Sequence, residues 1–250
     1  MSHLIPRSRL MIGTPLPSSV RRMALAAILS AQLAGGVATA SPSQQSVTIR
    51  GDVSVFDGDT LEIGPMLIRL HGVDAPEKTQ RCETPDGNTW RCGATAVNRV
   101  HNLIEGEDIS CEALDRDPYG RIISRCSVGG RDIGATLVAE GLAWAFIEYS
   151  NEYVALESEA RTMAVGVWQA ETQTPWDFRD DKWNRALADA PDGKCPIKGN
   201  IGASKGKLKI YHTPWSPNYS NTRINPEDGE RWFCDEAEAL AAGWRPVAGR

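Results

Sequence analysis

The sequence lacks the excess of basic residues that is typical of proteins that coat nucleic acid. Its 27 lysines and arginines are outnumbered by 32 aspartates and glutamates, which gives a formal net charge of −5. Four of the arginines lie within residues 1–40, a stretch without acidic residues, so the remainder of the chain is more acidic still. Broad electrostatic binding of nucleic acid is therefore excluded. Any binding of phosphate has to come from a few placed arginines and a cation.

The sequence also lacks the ligand patterns of zinc sites. His71, His101 and His212 are widely separated, and the chain contains no Cys-x-x-Cys pair. Structural zinc sites combine closely spaced cysteines and histidines. The histidines are therefore interpreted as structural residues, and the cysteines as candidates for disulfides.

A long apolar run that would span a membrane is missing as well. Arg21 and Arg22 precede the apolar residues 23–29, and a weaker apolar stretch ends at Ala38-Thr-Ala40 before Ser41. This order predicts a signal peptide over residues 1–40. The alternative, an uncleaved anchor, is disfavoured because the run is short and rich in alanine and glycine. We expect a periplasmic or secreted protein with no stable membrane anchor after cleavage.

Six cysteines in an exported chain predict disulfides. Cys82 and Cys92 bracket a turn-rich insertion, Cys111 and Cys126 lie on either side of the turn at 118–120, and Cys195 and Cys234 remain for a pair near the end of the chain. The hypothesis is therefore three disulfides in that pairing. Closing the first loop is expected to stabilise the fold by roughly 2–3 kcal/mol.

Two strand-like runs end in turns that carry carboxylates. Asp57 and Asp59 follow the first run, Asp74 and Glu77 follow the second, and Arg69 lies on the strand between the two turns. Carboxylates that converge from two strand ends suit a hard cation such as Ca²⁺. An arginine beside such a cation is a usual partner for phosphate. Any one of these acids alone is typical of a solvated loop, and Asp57 is assigned mainly to turn formation.

These motifs, together with three downstream blocks, resemble the staphylococcal nuclease family over roughly residues 47–170. The blocks occur in the family's order: Val55-Phe-Asp-Gly-Asp-Thr60, Ile68 to Glu77, Asp117-Pro-Tyr-Gly-Arg121, Leu137 to Ala143, and Ser158 to Trp168. One Asp-Gly-Asp-Thr alone is a weak signal. Five ordered blocks at plausible spacings are a strong one.

The resemblance implies an α+β fold whose centre is a five-stranded barrel of the oligonucleotide-binding (OB) type with about three helices. Periodicity alone predicts only α+β with a barrel or an open sheet. The residues between 47 and 70 alternate as strands do, residues 93–106 have helical periodicity, and a hairpin is predicted between Asp108 and Val128.

The resemblance also implies roles for individual residues. The predicted site consists of the Ca²⁺ ligands Asp59, Asp74 and the Ala75 carbonyl, the catalytic residues Arg69, Glu77 and Arg121, and the substrate-binding residues Tyr119 and Tyr149. Glu77 would orient or deprotonate the attacking water, and the two arginines would bind the phosphate.

Three positions depart from the family pattern. Ala75 stands where the family usually has threonine, which is tolerable because the contact to the metal is through the backbone. Ile147 replaces one of the two tyrosines that enclose the base, and Pro118 replaces a lysine. A weaker or differently directed nucleotide preference is therefore expected.

The sequence after the barrel predicts two further segments. Residues 171–194 contain prolines, a glycine and many polar residues, which favours a linker, although Trp176, Phe178 and Trp183 could fold back onto the barrel. Residues 195–247 are expected to form a small, disulfide-linked C-terminal module with a strand at 207–211 and a short helix capped by Asp235. No motif in this module indicates an activity.

The sequence therefore predicts a monomeric, exported, Ca²⁺-dependent nuclease (a phosphodiester hydrolase) whose substrate is DNA or RNA. Two alternatives remain open at this point. The barrel is a non-catalytic module that binds oligonucleotide, polysaccharide or protein, or it is a platform for an accessory factor whose role lies in the C-terminal module.

Overall fold

The structure is a computed structural model that describes residues 47–49, 53–202 and 208–247. The predicted signal peptide at 1–40 lies outside the described residues. The strands are β1 Val47–Ile49, β2 Val53–Asp57, β3 Thr60–Ile63, β4 Met66–Leu70, β5 Val73–Asp74, β6 Cys82–Glu83, β7 Thr89–Trp90, β8 Ile109–Arg116, β9 Ile122–Val128, β10 Arg131–Asp132, β11 Trp144–Ala145, β12 Ile197–Ile201, β13 Lys209–His212, β14 Arg231–Phe233 and β15 Arg245–Pro246. The α-helices are α1 Cys92–Ile104, α2 Ile133–Ala139, α3 Val154–Thr162, α4 Pro175–Asp189 and α5 Glu236–Ala241. None of the helices in this part of the chain is long and apolar enough to cross a membrane.

The main sheet closes because one segment supplies both of its ends. The strand order is β1-β8-β9-β4-β3-β2, and β1 and β2 are separated by only three residues in the chain. β1 pairs with β8 on one side and β2 pairs with β3 on the other, and we count these two consecutive strands as one strand of the barrel. With β3, β4, β8 and β9 this gives five strands around one core, which confirms the predicted OB-type barrel.

The apolar side chains that the strands turn inwards meet one face of each of the first three helices. Leu61 and Ile68 from the sheet, Val100 from α1 and Leu137 from α2 are almost completely buried in one cluster. Asp132 caps α2 by accepting a hydrogen bond from the Ala135 N–H at 2.8 Å. The helices therefore cover the barrel and leave the ends of β2, β4 and β9 open to one cavity.

All three predicted disulfides are formed. Cys82 is bonded to Cys92, and Cys195 to Cys234. Cys111 and Cys126 are bonded across the β8–β9 hairpin, where they are opposite each other in the antiparallel register.

The segment that was expected to be a linker contains α4, a helix of 15 residues. Thr174 caps it by accepting a hydrogen bond from the Asp177 N–H at 3.2 Å, and Pro175 occupies the first turn. Its Trp176 packs against Trp144 with ring centroids 6.4 Å apart, and its Trp183 packs against the C-terminal module. The segment is therefore a packed helix that joins the barrel to the module.

The C-terminal module is a four-stranded sheet in the order β14-β12-β13-β15, with α5 packed against it. Its small core contains Ile197, Tyr211, Phe233 and Trp244. Asp235 caps α5 by accepting a hydrogen bond from the Glu238 N–H at 2.6 Å, which confirms that prediction.

Replacing Cys195 and Cys234 together by alanine is expected to cost about 4 kcal/mol in the free energy of unfolding of this module, because the module has few other means of stabilisation. The same change at Cys82 and Cys92 is expected to cost about 3 kcal/mol, since these cysteines are 10 residues apart and the other pair 39. Denaturant unfolding followed by tryptophan fluorescence measures both. A larger loss at the shorter loop would contradict the argument from loop length.

Candidate active site

The two predicted acidic turns meet in space. The Asp59 side chain accepts a hydrogen bond from the Ala75 N–H at 2.9 Å, and the Asp59 carbonyl accepts one from the Leu70 N–H at 2.8 Å. Asp74 lies on β5 and is held in register by Trp144 of β11. Both aspartates are buried, and Asp74 has no exposed surface.

Arg69 bridges these two aspartates with one guanidinium group. It lies on β4 opposite Thr60 of β3, and therefore points to the turn that carries Asp59. One of its terminal nitrogens contacts the Asp59 carboxylate, and the other donates to Asp74 Oδ1 at 3.0 Å. Because a guanidinium is only a few ångströms wide, the two carboxylates are neighbours, as the sequence predicted.

Glu77 is fixed by the loop that follows β5. Gln80 is buried, and it accepts a hydrogen bond from the Glu77 N–H at 3.2 Å while its own N–H donates to the Glu77 carbonyl at 2.7 Å. Gly93 of α1 packs directly on this loop, since a Cβ atom there would lie 1.7 Å from the Glu77 carbonyl oxygen. The backbone of Glu77 is therefore held between a buried side chain and a helix N-terminus.

A second arginine reaches the same carboxylates, and the sequence argument missed it. Arg179 of α4 donates to Asp74 Oδ1 at 3.2 Å and Oδ2 at 2.7 Å, and to Glu77 Oε1 at 2.9 Å. It lies three residues after Trp176 and thus one helical turn beyond the contact with the barrel. A Thr-Pro pair followed by an acidic residue is a helix-start signal at 174–177, and Trp176 was a second clue that this segment packs on the barrel.

Arg121 and the predicted substrate-binding tyrosines line the same space. Asp117 orients Arg121 by accepting a hydrogen bond from its Nε–H at 2.6 Å, and Tyr119 lies in the turn between them, with its ring centroid 5.5 Å from the guanidinium carbon. Tyr149 is largely exposed at the rim. The three residues therefore line one cavity, and their roles there stay a prediction.

The site is a cavity of about 810 Å³ between the barrel, α4 and the C-terminal module. Its walls include seven of the residues discussed above, namely Asp59, Arg69, Glu77, Tyr119, Arg121, Tyr149 and Arg179. Asp74 and Ala75 do not line it, and both are buried next to Asp59 and Arg69. From the module, Tyr211, Trp215 and Glu236 form the facing wall, with the Tyr211 hydroxyl donating to Glu236 at 2.7 Å.

The carboxylates divide into two electrostatic groups. Although burial acts in the opposite direction, Arg69 and Arg179 hold the pKa of Asp74 below its ordinary value. Burial and the charge of Asp59 raise the pKa of Asp57 to about 6, and burial and the charge of Asp57 raise the pKa of Glu77 well above its ordinary value. The cluster therefore has too little positive charge for all of its acids to ionise easily.

This donor set fits a divalent cation. Asp57, Asp59, Asp74 and Glu77 carry four negative charges when ionised, and Arg69 and Arg179 supply two positive ones. The remaining charge of −2 is balanced by the +2 charge of one hard divalent cation, and all the donors are oxygens. Among residues 53–202 and 208–247 no three His, Cys, Asp or Glu side chains already form a metal-binding group. Both oxygens of Asp74 accept hydrogen bonds from guanidinium groups.

Replacing Asp57 by asparagine is expected to raise the free energy of unfolding by about 1–2 kcal/mol at pH 7.5 in the presence of a chelator. The asparagine keeps an oxygen for the Gly58 N–H, which now donates to Asp57 Oδ1 at 2.8 Å. The pKa of Asp57 is about 6 in the folded protein and 3.8 for an ordinary aspartate, so the folded state binds this proton more tightly than the unfolded state does. The free energy of unfolding of the wild type therefore decreases as the pH rises from about 3.8 through about 6.

The gain from Asp57→Asn should therefore be absent near pH 4 and complete above about pH 7. Urea unfolding at a series of pH values measures it. An equal gain at both ends of the series would contradict the assignment of the raised pKa to Asp57.

Comparison with known proteins agrees with this geometry. Residues 67–170 match the family described as staphylococcal nuclease homologue. A protein described as an uncharacterized endonuclease from Escherichia coli is 32% identical over 138 residues, which cover 52% of this chain and 84% of that protein. The succinoglycan biosynthesis protein ExoI of Rhizobium meliloti (strain 1021) is 31% identical over 143 residues, 55% of this chain and 73% of that protein.

A micrococcal nuclease from Shigella flexneri is 29% identical over 160 residues, covering 56% of this chain and 83% of that protein. The region matched to the family contains Arg69, Asp74, Glu77 and Arg121, whereas Arg179 lies outside it. The barrel, the meeting of the two acidic turns and these similarities lead to one conclusion: the chain belongs to the staphylococcal nuclease homologue family.

Proposed function

We propose that this protein is an exported, Ca²⁺-dependent endonuclease that hydrolyses DNA, and also RNA, with low sequence preference. The observation that carries the proposal is the convergence of Asp59, Glu77, Arg69 and Arg121 on one cavity, with Asp74 bonded directly to Arg69. This combination joins cation ligands, a base and phosphate-binding groups. Relatives described as endonucleases and as a micrococcal nuclease support the same chemistry.

Asp59 and Asp74, with the Ala75 carbonyl, would hold the cation. When bound, Ca²⁺ would neutralise charge on the phosphate oxygens and so lower the barrier to attack. The ligands are oxygens only, which suits calcium better than a transition metal.

Glu77 is the group that takes the proton from the attacking water. As the water oxygen forms its bond to phosphorus, the bond from phosphorus to the 5′ oxygen breaks, and the leaving 5′ oxygen takes a proton from a solvent water, so that a 3′-phosphate and a 5′-hydroxyl result. A raised pKa brings the Glu77 carboxylate closer to the strength that a general base needs near neutral pH.

Arg69 and Arg121 stabilise the phosphate as negative charge grows on its oxygens. Planar guanidinium groups can each donate two hydrogen bonds to one phosphate, and their neighbours Asp74 and Asp117 fix their orientation. Tyr119 and Tyr149 would contact the phosphate and the base at the open side of the cavity. Because these groups contact backbone and ring faces, little sequence preference is expected.

Export is supported by the chemistry of the cysteines. All six are in disulfides, which persist in the periplasm and outside the cell and are rare in a reducing cytosol. With the signal peptide removed, the protein would act as a soluble monomer in that compartment.

The test is cleavage of plasmid DNA and of a structured RNA by the purified protein, with Ca²⁺ and with an excess of chelator. Cleavage of both substrates is expected with Ca²⁺ and none with chelator, and end-labelled products should carry 3′-phosphates. Cleavage that survives chelation would contradict the role of the cation. Binding of oligonucleotide without cleavage under any condition would favour the non-catalytic alternative.

A further inference from the structure

Both oxygens of Asp74, the carboxylate proposed as a cation ligand, are already occupied by groups of the protein. Oδ1 accepts hydrogen bonds from Arg69 at 3.0 Å and from Arg179 at 3.2 Å, and Oδ2 accepts one from Arg179 at 2.7 Å. Asp74 has no exposed surface. Guanidinium groups therefore fill three of the acceptor positions of this buried carboxylate, and a metal cation reaches it only if a guanidinium group moves aside.

Arg179 is a positively charged side chain that binds two of the acids in the site. Its Nη1 also donates to Glu77 Oε1 at 2.9 Å, so a single guanidinium joins the proposed ligand Asp74 to the proposed base Glu77. Arg69, in contrast, joins Asp74 to Asp59 and leaves Glu77 untouched. Removing Arg179 would leave the four acids of the cluster with one neighbouring positive charge.

Contacts at the start of α4 fix the position of Arg179. Trp176 packs on Trp144 and Phe146 at the start of α4, and the Gln80 side chain donates to the Gln173 carbonyl at 2.7 Å just before it. The Arg179 side chain is 24% exposed, whereas that of Arg185 on the same helix is 73% exposed. Arg179 is thus aimed at the acids by contacts on both sides of the helix start.

We propose that Arg179 is a built-in counter-ion that competes with a divalent cation for Asp74 and Glu77, and so sets the cation affinity of the site. The inference rests on the proposed cation site of the nuclease. It follows from charge and geometry, because Arg69 and Arg179 already surround the buried Asp74 carboxylate, and Arg179 also binds the Glu77 carboxylate that faces the same cavity. Arg179 belongs to α4, outside the region matched to the family, so this control is supplied by the segment that links the barrel to the module.

The test is the affinity of the whole protein for Ca²⁺ alone, without nucleic acid, by isothermal titration calorimetry after removal of metals with a chelator. Arg179→Gln is expected to bind Ca²⁺ at least about tenfold more tightly than the wild type, since a charge-assisted hydrogen bond to a buried carboxylate no longer has to be replaced. Arg185→Gln, which removes the same charge from an exposed position of the same helix, is the matched control. It is expected to bind as the wild type does.

Thermal unfolding measurements show whether the Arg179→Gln variant is folded. Arg179→Gln is expected to melt at a lower temperature than the wild type without Ca²⁺, and to show a larger rise in Tm when Ca²⁺ is added. An affinity of Arg179→Gln that equals or falls below that of the wild type, or that is matched by Arg185→Gln, would overturn the proposal. So would a failure of Arg179→Gln to bind Ca²⁺ while its Tm shows that it is folded.

The outcome separates this inference from the proposed nuclease. Tighter Ca²⁺ binding by Arg179→Gln in a protein that cleaves neither plasmid nor RNA would support the counter-ion and refute the nuclease. Cleavage that requires Ca²⁺, with no gain in affinity in Arg179→Gln, would refute the counter-ion and leave the nuclease in place.

Discussion

Glu77→Gln is expected to lower the rate of phosphodiester cleavage by about 10²- to 10⁴-fold, the range usual for the loss of a general base. Glutamine has nearly the same volume, and its amide oxygen can still accept the hydrogen bond that Arg179 donates at 2.9 Å. The fold of the loop should therefore survive, because Gln80 and Gly93 hold the backbone of Glu77 and not its carboxylate. The loss should appear in kcat, with the binding of oligonucleotide in the presence of a chelator unchanged.

The pH dependence gives a second readout for Glu77. Burial and the charge of Asp57 raise the pKa of Glu77, so the rate of the wild type should rise with pH over a range that lies above the ordinary titration of a glutamate. This rise should be missing from the residual activity of Glu77→Gln. Glu83→Gln, at an exposed position of β6, serves as the control and should cleave like the wild type. Full activity in Glu77→Gln would refute its role as a base.

The barrel was predictable because its signals are local or carried by ordered motifs. The β8–β9 hairpin could be predicted from two alternating runs around a turn, and the cysteine pair opposite each other confirms its register. The caps at Asp132 and Asp235 depend on contacts within three residues, which a sequence displays directly. The closure of the sheet is a long-range property, and it came from the resemblance to the family.

The position of α4 was not predictable by the same means. Prolines, a glycine and polar residues in 171–194 favoured a linker, although Thr174 and Pro175 also form the start of a helix. What places Arg179 in the site is the packing of Trp176 on Trp144, a contact between residues 32 positions apart that leaves no periodic pattern. A solvated surface arginine and a buried counter-ion look alike in a sequence, because burial is decided by the partner and not by the residue.

The C-terminal module forms part of the cavity, a contribution that the sequence did not indicate. Tyr211, Trp215 and Glu236 make the wall opposite the barrel, and Thr79, two residues after Glu77, donates to the Trp215 carbonyl at 3.0 Å. The loop that carries Glu77 is therefore joined to the module by a hydrogen bond, and the module forms part of the cavity wall.

Arg121→Ala is expected to reduce kcat by about 10²- to 10³-fold, the usual cost of removing one preorganised donor to a developing negative charge. Asp117 accepts the Nε–H of Arg121 at 2.6 Å and so fixes the plane of the guanidinium, which lines the cavity with Tyr119. Arg121→Lys should recover only part of the loss, because lysine retains the charge but not the planar fork that binds two phosphate oxygens.

The distinction between kcat and KM decides how Arg121 acts. A donor whose contribution grows in the transition state lowers kcat when it is removed, whereas a donor that binds the ground state equally well raises KM alone. Steady-state cleavage of a fluorescent oligonucleotide, with Arg131→Ala at an exposed position of β10 as the control, separates the two cases. A change in KM alone would make Arg121 a docking residue. Equal cleavage by wild type and Arg121→Ala would remove it from the site, and Arg69 would then be the single barrel arginine of the proposed site that stabilises the phosphate.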